Sequence, residues 1–262
     1  MLLIVWENHI GDGHKNWPSL LTTKNKTDES EARRMARLAQ YLAFAKAHPE
    51  RFVNPPEGGI TILLGEDEIR EVEAYMAQKL EAKELPAEWA RVGIVYQDQY
   101  GMILRDAVRF PGGALGTYIR FIGNMDVDPG AIVLPLYQGQ VLLVRRFHHA
   151  TRTRHLEIPI GLGMKGLSGE ENARRVLVEE IGAMVSRLIP IGELEEGPGL
   201  TESPAELFYA DVESYGEGNT HEGITEVLQI AVPEFERMMR DSEITDSFTI
   251  IAYLRAKLQG LL

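Results

Sequence analysis

Residues 156–183, LEIPIGLGMKGLSGEENARRVLVEEIGA, join a glycine-containing loop to a helix whose two ends are both legible. Ser168 and Glu171 have the spacing of a capping box, so the helix starts at about Gly169, and Gly182 is its natural C-terminal stop. Ala173, Leu177 and Ile181 lie four apart and form its buried stripe, while Val176, Glu179 and Glu180 form a patch on another side. Two adjacent carboxylates repel each other and are a poor structural choice without a cation. Mg²⁺ prefers oxygen ligands and keeps several waters, which suits a shallow carboxylate patch beside a loop.

The bulk numbers narrow the setting. At 262 residues the chain can form one large domain or one domain with a smaller companion, and 44% hydrophobic with 25% charged residues is a soluble globular composition. A formal net charge of -12 argues against nucleic acid or an anionic membrane as the main partner. A small anionic ligand stays open, because an Arg cluster or a bound metal can invert the field inside one cleft. The absence of cysteine excludes disulfides and thiolate metal sites, and fits a reducing compartment. Leu2 to Trp6 reads as a buried strand, since no basic segment precedes it and no small-residue cleavage site follows. The expectation is a cytoplasmic protein.

Two textures divide the chain. In the first, Asp28 and Glu31 have capping-box spacing ahead of Met35, Leu38, Leu42 and Ala45, a helical stripe stopped by His48-Pro49. Ile60 to Leu64 reads as a strand, and Ile69, Val72, Met76 and Leu80 as the stripe of a second helix with Glu66, Asp67 and Glu68 in its first turn. Residues 1–90 are therefore expected to form a small N-terminal α/β extension with no motif that carries chemistry. From about Val92 short strands dominate. Met102 to Phe110 and Leu115 to Ile122 flank Pro111-Gly112-Gly113, and Ala131 to Tyr137 and Val141 to Phe147 flank Gln138-Gly139-Gln140, both hairpin signals. Further strands are expected near 188–194, 206–212 and 224–232, and helices around 234–240 and 247–258. Residues 91–262 thus read as an α/β/α sandwich with a mixed sheet.

The loop–helix resembles the motif of the Nudix hydrolases, G-x5-E-x7-R-E-U-x-E-E-x-G-U, with U a bulky aliphatic residue. Gly161, Arg175, Leu177, Glu179, Glu180 and Gly182 fall on matching positions in register. Leu167 and Val176 stand where two of its glutamates should be, and Ala183 fills the last aliphatic position. The flanks are similar to the ADP-ribose pyrophosphatase branch: Leu156 to Gly161 resembles its LELPAG run and Val144 to His149 its VRQYR strand. Pro198 to Glu202 resembles its PG-x-T/S-E loop, and Glu222-Gly223-Ile224 its late acidic loop.

Carried over by position, the resemblance implies Glu179, Glu180 and the Ile160 carbonyl as ligands of Mg²⁺ or Mn²⁺. Arg175 would orient the acids, and Glu222 is a candidate general base. Arg145, Arg146, Glu157, Gly161 and Glu202 are candidate substrate contacts. The implied reaction is metal-dependent attack of water on the pyrophosphate of ADP-ribose or a nucleotide sugar, in a homodimer. Val176 cannot ligate a metal, however, and Leu167 removes another acid. A lapsed domain that binds nucleotide or a partner is therefore the rival reading, and a Nudix-fold isomerase a third. Blander readings stand beside the site residues. Glu222 is also an ordinary loop acid, Arg145, Arg146, Arg152 and Arg154 also decorate a strand end, and His148, His149 and His155 read as surface histidines. His9, Asp12 and His14 invite the same caution.

Overall fold

The structure, a computed structural model, describes residues 31–123, 128–202 and 204–262. The expected strand at Leu2–Trp6, the His9, Asp12 and His14 loop and the Asp28 cap lie outside the described residues. In chain order the first elements are α1 (Glu31–Ala47), β1 (Thr61–Leu63), α2 (Glu66–Glu81), β2 (Gly93–Gln97), β3 (Gly101–Arg109) and β4 (Leu115–Gly123). Next come β5 (Gly130–Tyr137), β6 (Gln140–His148), β7 (Thr153–Glu157), β8 (Ile160–Gly161) and α3 (Gly169–Ile181). The chain ends with β9 (Met184–Glu195), β10 (Thr201–Glu202), β11 (Pro204–Ser214), β12 (Ile224–Ala231), α4 (Val232–Arg240) and α5 (Ser247–Leu258).

The described residues form two compact units, one from 31–123 with Gly197–Glu202, the other from 128–196 with 204–262. In the first unit α1 and α2 bury Leu38, Tyr41, Ala45, Ile69 and Val72 with Met102, Leu104 and Ala107 of β3. The apolar period of 3.6 in the helices and of 2 in the strands puts these side chains on one face each. Strand β3 pairs with β1, β2 and β4, and β4 pairs in parallel with β10. A buried polar group sits inside this core: Tyr41 Oη donates to Asp106 Oδ1 at 2.6 Å, and Arg120 Nε to Asp106 Oδ2 at 2.5 Å. Its partners are far apart in sequence, and no local pattern announces it.

The second unit holds a seven-stranded mixed sheet of order β12-β6-β5-β11-β9, with β7 on β6 and β8 on β5. Strands β5 and β11 run parallel, and the other pairs are antiparallel. Gln138 and Gly139, at φ 51 and 75, close the β5–β6 hairpin, the left-handed pair that matches strand twist in a two-residue turn. One sheet face packs Leu134, Leu136, Val141 and Leu143 against Phe235 of α4 and Tyr253 of α5. The other packs Val133, Leu142, Val144 and Phe208 against Ala173, Val176, Leu177 and Ile181 of α3. This is the expected α/β/α sandwich, formed without β2 to β4, which the reading of 91–262 had included. No described helix is long and apolar enough to cross a membrane.

Candidate functional site

Helix α3 is fixed at both ends. Ser168 Oγ accepts from Glu171 N while Glu171 Oε2 accepts from Ser168 N, and Gly182 takes φ 60 so that Ala183 N reaches Leu177 O. The last carbonyls hold a returning loop: Gly216 N donates to Ile181 O at 2.8 Å and Asn219 N to Glu180 O at 2.9 Å. That anchors the short turn Thr220–Glu222 beside the helix end. Around the helix the structure revises one expectation. Ala173, Val176, Leu177, Glu180 and Ile181 are all buried, whereas Glu179 is exposed. Spacings of three and four make these five one stripe, so Glu180 faces the core and Glu179 does not share its patch.

What Glu180 meets there comes from β6, where Val144, Arg146 and His148 alternate onto one face of the strand. Arg146 Nη2 lies 2.5 Å from Glu180 Oε1, and Arg146 Nη1 lies 3.4 Å from Glu157 Oε1. His148 Nε2 hydrogen-bonds Glu157 Oε2 at 2.5 Å. The side chains of Arg146, Glu157 and Glu180 are only 13%, 2% and 6% exposed, so two carboxylates share one guanidinium in a poorly hydrated place. Arg146 Nε and Nη2, Glu157 Oε1 and Glu180 Oε2 are buried without an aligned hydrogen bond, which makes the group an ion-pair cluster more than a hydrogen-bonded one. Burial pushes the Glu180 carboxyl up to about 7, with Arg146 opposing the rise and Glu157 and Glu222 adding to it. Burial also raises Glu157, against the pull of His148 and Arg146.

A second cluster ties the loop to the helix. Arg175 pairs with Glu179, donates to Leu162 O at 2.7 Å and holds Asn172 Oδ1 at 2.8 Å. Gly161 lies directly against Val176, and a Cβ there would run into the Val176 methyl. The isopropyl group thus occupies the ground beneath the loop where the resemblance puts an acid.

The remaining candidates are placed as follows. Arg145 pairs with Glu226 at 2.9 Å, and Ile160 stands opposite Ile132 in the β5–β8 ladder. Glu222 is exposed yet close enough to add to the Glu180 shift. Glu202 belongs to the first unit and pairs with Arg51 at 2.7 Å. Arg152 and Arg154 lie over the Phe147 ring, His149 bonds Arg152, and His155 bonds Thr151 and Thr153. His148, read from sequence as a surface residue, has a side chain 41% exposed and is the outer member of the cluster. The alternation Val144-Arg146-His148 was the available signal. An open cavity of about 510 Å³, with Tyr215, Thr220, Glu217 and Glu226 in its wall, is lined by none of the four clustered side chains.

A divalent cation does not fit these residues as they stand. Glu157 Oε1 and Glu180 Oε2 are free oxygens, but both carboxylates already share the Arg146 charge. Val176 offers no ligand, and Glu179 is turned out to Arg175. Among the described residues no group of three or more His, Asp or Glu is placed to hold a metal ion.

Fold and motif together are similar to those of Nudix-type, ADP-ribose pyrophosphatase-like proteins. Over 136 residues the chain is 26% identical to the ADP-ribose pyrophosphatase of Bacillus subtilis (strain 168), spanning 49% of this chain and 74% of that one. A crystal structure of an ADP compounds hydrolase superposes with a TM-score of 0.56 at 20% identity, covering 65% of this chain and 94% of its own, a likeness of fold. No protein-family profile matches the chain.

Proposed function

We propose that this chain binds a nucleoside diphosphate joined to a sugar-like moiety, of the ADP-ribose or nucleotide-sugar class, in a Nudix-type site whose hydrolytic chemistry is attenuated. The ligand class rests on the resemblance and on the two hydrolases described above. The attenuation rests on one observation, the Arg146 contact with Glu180 and Glu157 above a stripe on which Val176 replaces an acid. Losing a direct ligand of such a site removes several kcal/mol of transition-state stabilisation, roughly a 10³-fold or greater loss of rate.

Hydrolysis dependent on Mg²⁺ or Mn²⁺ is the second reading. It is favoured by the two buried carboxylate oxygens without a hydrogen bond and by Glu222 within electrostatic reach of Glu180. Incubating the full chain with ADP-ribose and a panel of nucleotide sugars separates the two. The first reading expects saturable binding by calorimetry and product formation no faster than in Glu180→Gln. Metal-dependent turnover far above that control selects the second, and no binding by any member of the panel removes both.

Two expectations accompany the proposal. Residues 91–262 are proposed as the Nudix-like region with 1–90 as an extension, although strands β2 to β4 within it pack in the first unit. The protein is a homodimer, so light scattering should return twice the 29.4 kDa chain mass.

A further inference from the structure

We infer that Arg146 is a resident cation: its guanidinium gives Glu157 and Glu180, from within the chain, the charge compensation that a divalent ion would otherwise bring. Geometry comes first. Arg146 stands on β6 with Ile224 of β12 as its register partner on one side and His155 of β7 on the other, held on the face that meets α3. From there Nη2 touches Glu180 at 2.5 Å and Nη1 lies 3.4 Å from Glu157, while His148 takes the other Glu157 oxygen. A dication approaching the free Oε2 of Glu180 meets a guanidinium already lodged at the neighbouring oxygen. Like charges in so poorly hydrated a place repel strongly.

Charge arithmetic agrees. Against the motifs of the resemblance, position 176 has lost an acid, and Arg146 stands where the VRQYR run has a neutral Gln. Each change adds one positive charge; Leu167 in place of a Glu adds another and His148, counted neutral, in place of the run's closing Arg removes one, so the net change is two charges, that of one divalent ion. Packing agrees as well, because the Val176 methyl fills the space under Gly161. The cluster carries its own counter-charge in the absence of metal, one guanidinium shared by two carboxylates. On the nucleotide-binding reading above, from which only this last step is taken, ligand affinity is therefore indifferent to Mg²⁺.

The test titrates Mn²⁺ alone into the full chain, with free ion followed by electron paramagnetic resonance. Wild type should bind in the millimolar range or more weakly, and R146Q/V176E at least tenfold more tightly. R146Q should melt below wild type in chelator and be recovered by Mn²⁺, whereas R146K should stay stable and indifferent to metal. An arginine with a merely structural role would leave R146Q unrescued. Micromolar binding by wild type, or a folded R146Q/V176E with no gain, overturns the assignment. If R146Q/V176E does not fold in chelator, refolding on addition of Mn²⁺ supports it and failure to refold at millimolar Mn²⁺ overturns it. No nucleotide enters these titrations, so failure of ADP-ribose to bind would remove the ligand class and leave Arg146 standing.

Discussion

A carboxylate on the apolar stripe of a helix must be compensated, and Glu180 shows how this chain does it. Burial raises its carboxyl from the ordinary 4.5 to about 7, against the pull of Arg146. Between those values the folded protein keeps a proton that the unfolded chain has released, so this part of the stability is complete below 4.5 and is lost as pH rises through about 7. Urea denaturation of wild type from about pH 5 to about pH 8 should show that decline, and Glu180→Gln, which cannot ionise, should flatten it. Equal slopes in the two proteins would contradict the account. At this scale the sequence was readable only in part. Gly161, Arg175 and Glu180 could be placed by motif spacing. The reach of Arg146 to Glu180, and of His148 to Glu157, depends on how β6 is rotated against α3 and β7. No one-dimensional pattern records that rotation.

Among the elements, α3 was the most legible, because capping and stop signals are local chemistry. The Ser168–Glu171 box and the Gly182 turn lie where the residues dictate. Replacing Ser168 with Ala removes the acceptor for Glu171 N and loosens the reciprocal bond. It should cost about 1 kcal/mol of stability in a denaturant midpoint; no shift in the midpoint would mean that the helix start is held by packing alone. The stripe of α3 was less legible. A glutamate at a core position breaks the apolar pattern, so periodicity assigned Glu180 to the wrong side with Glu179. The short strands β2, β7, β8 and β10 were also missed. Thr153–Glu157 is polar and Thr201–Glu202 is only two residues long, so their ladder partners on β6 and β4 decide that they are strands.

Over the whole molecule, hydrophobic period distinguished helices from strands but could not say which core each strand would join. Strands β3 and β4 read like the strands after them, yet they pack with α1 and α2 around Tyr41 and Ile69 in the first unit. The long-range pairs that decide this, such as Tyr41 with Asp106, are 65 residues apart. The second unit builds the geometry of the motif around α3 and then departs from the motif at Val176 and Arg146. Its acidic site therefore arrives with its counter-ion built in. The most direct measurement is a calorimetric titration of ADP-ribose into the full chain, once in chelator and once in excess Mg²⁺. The account predicts saturable binding with the same affinity in both and no heat of turnover. Binding or product release seen only with Mg²⁺ would contradict it.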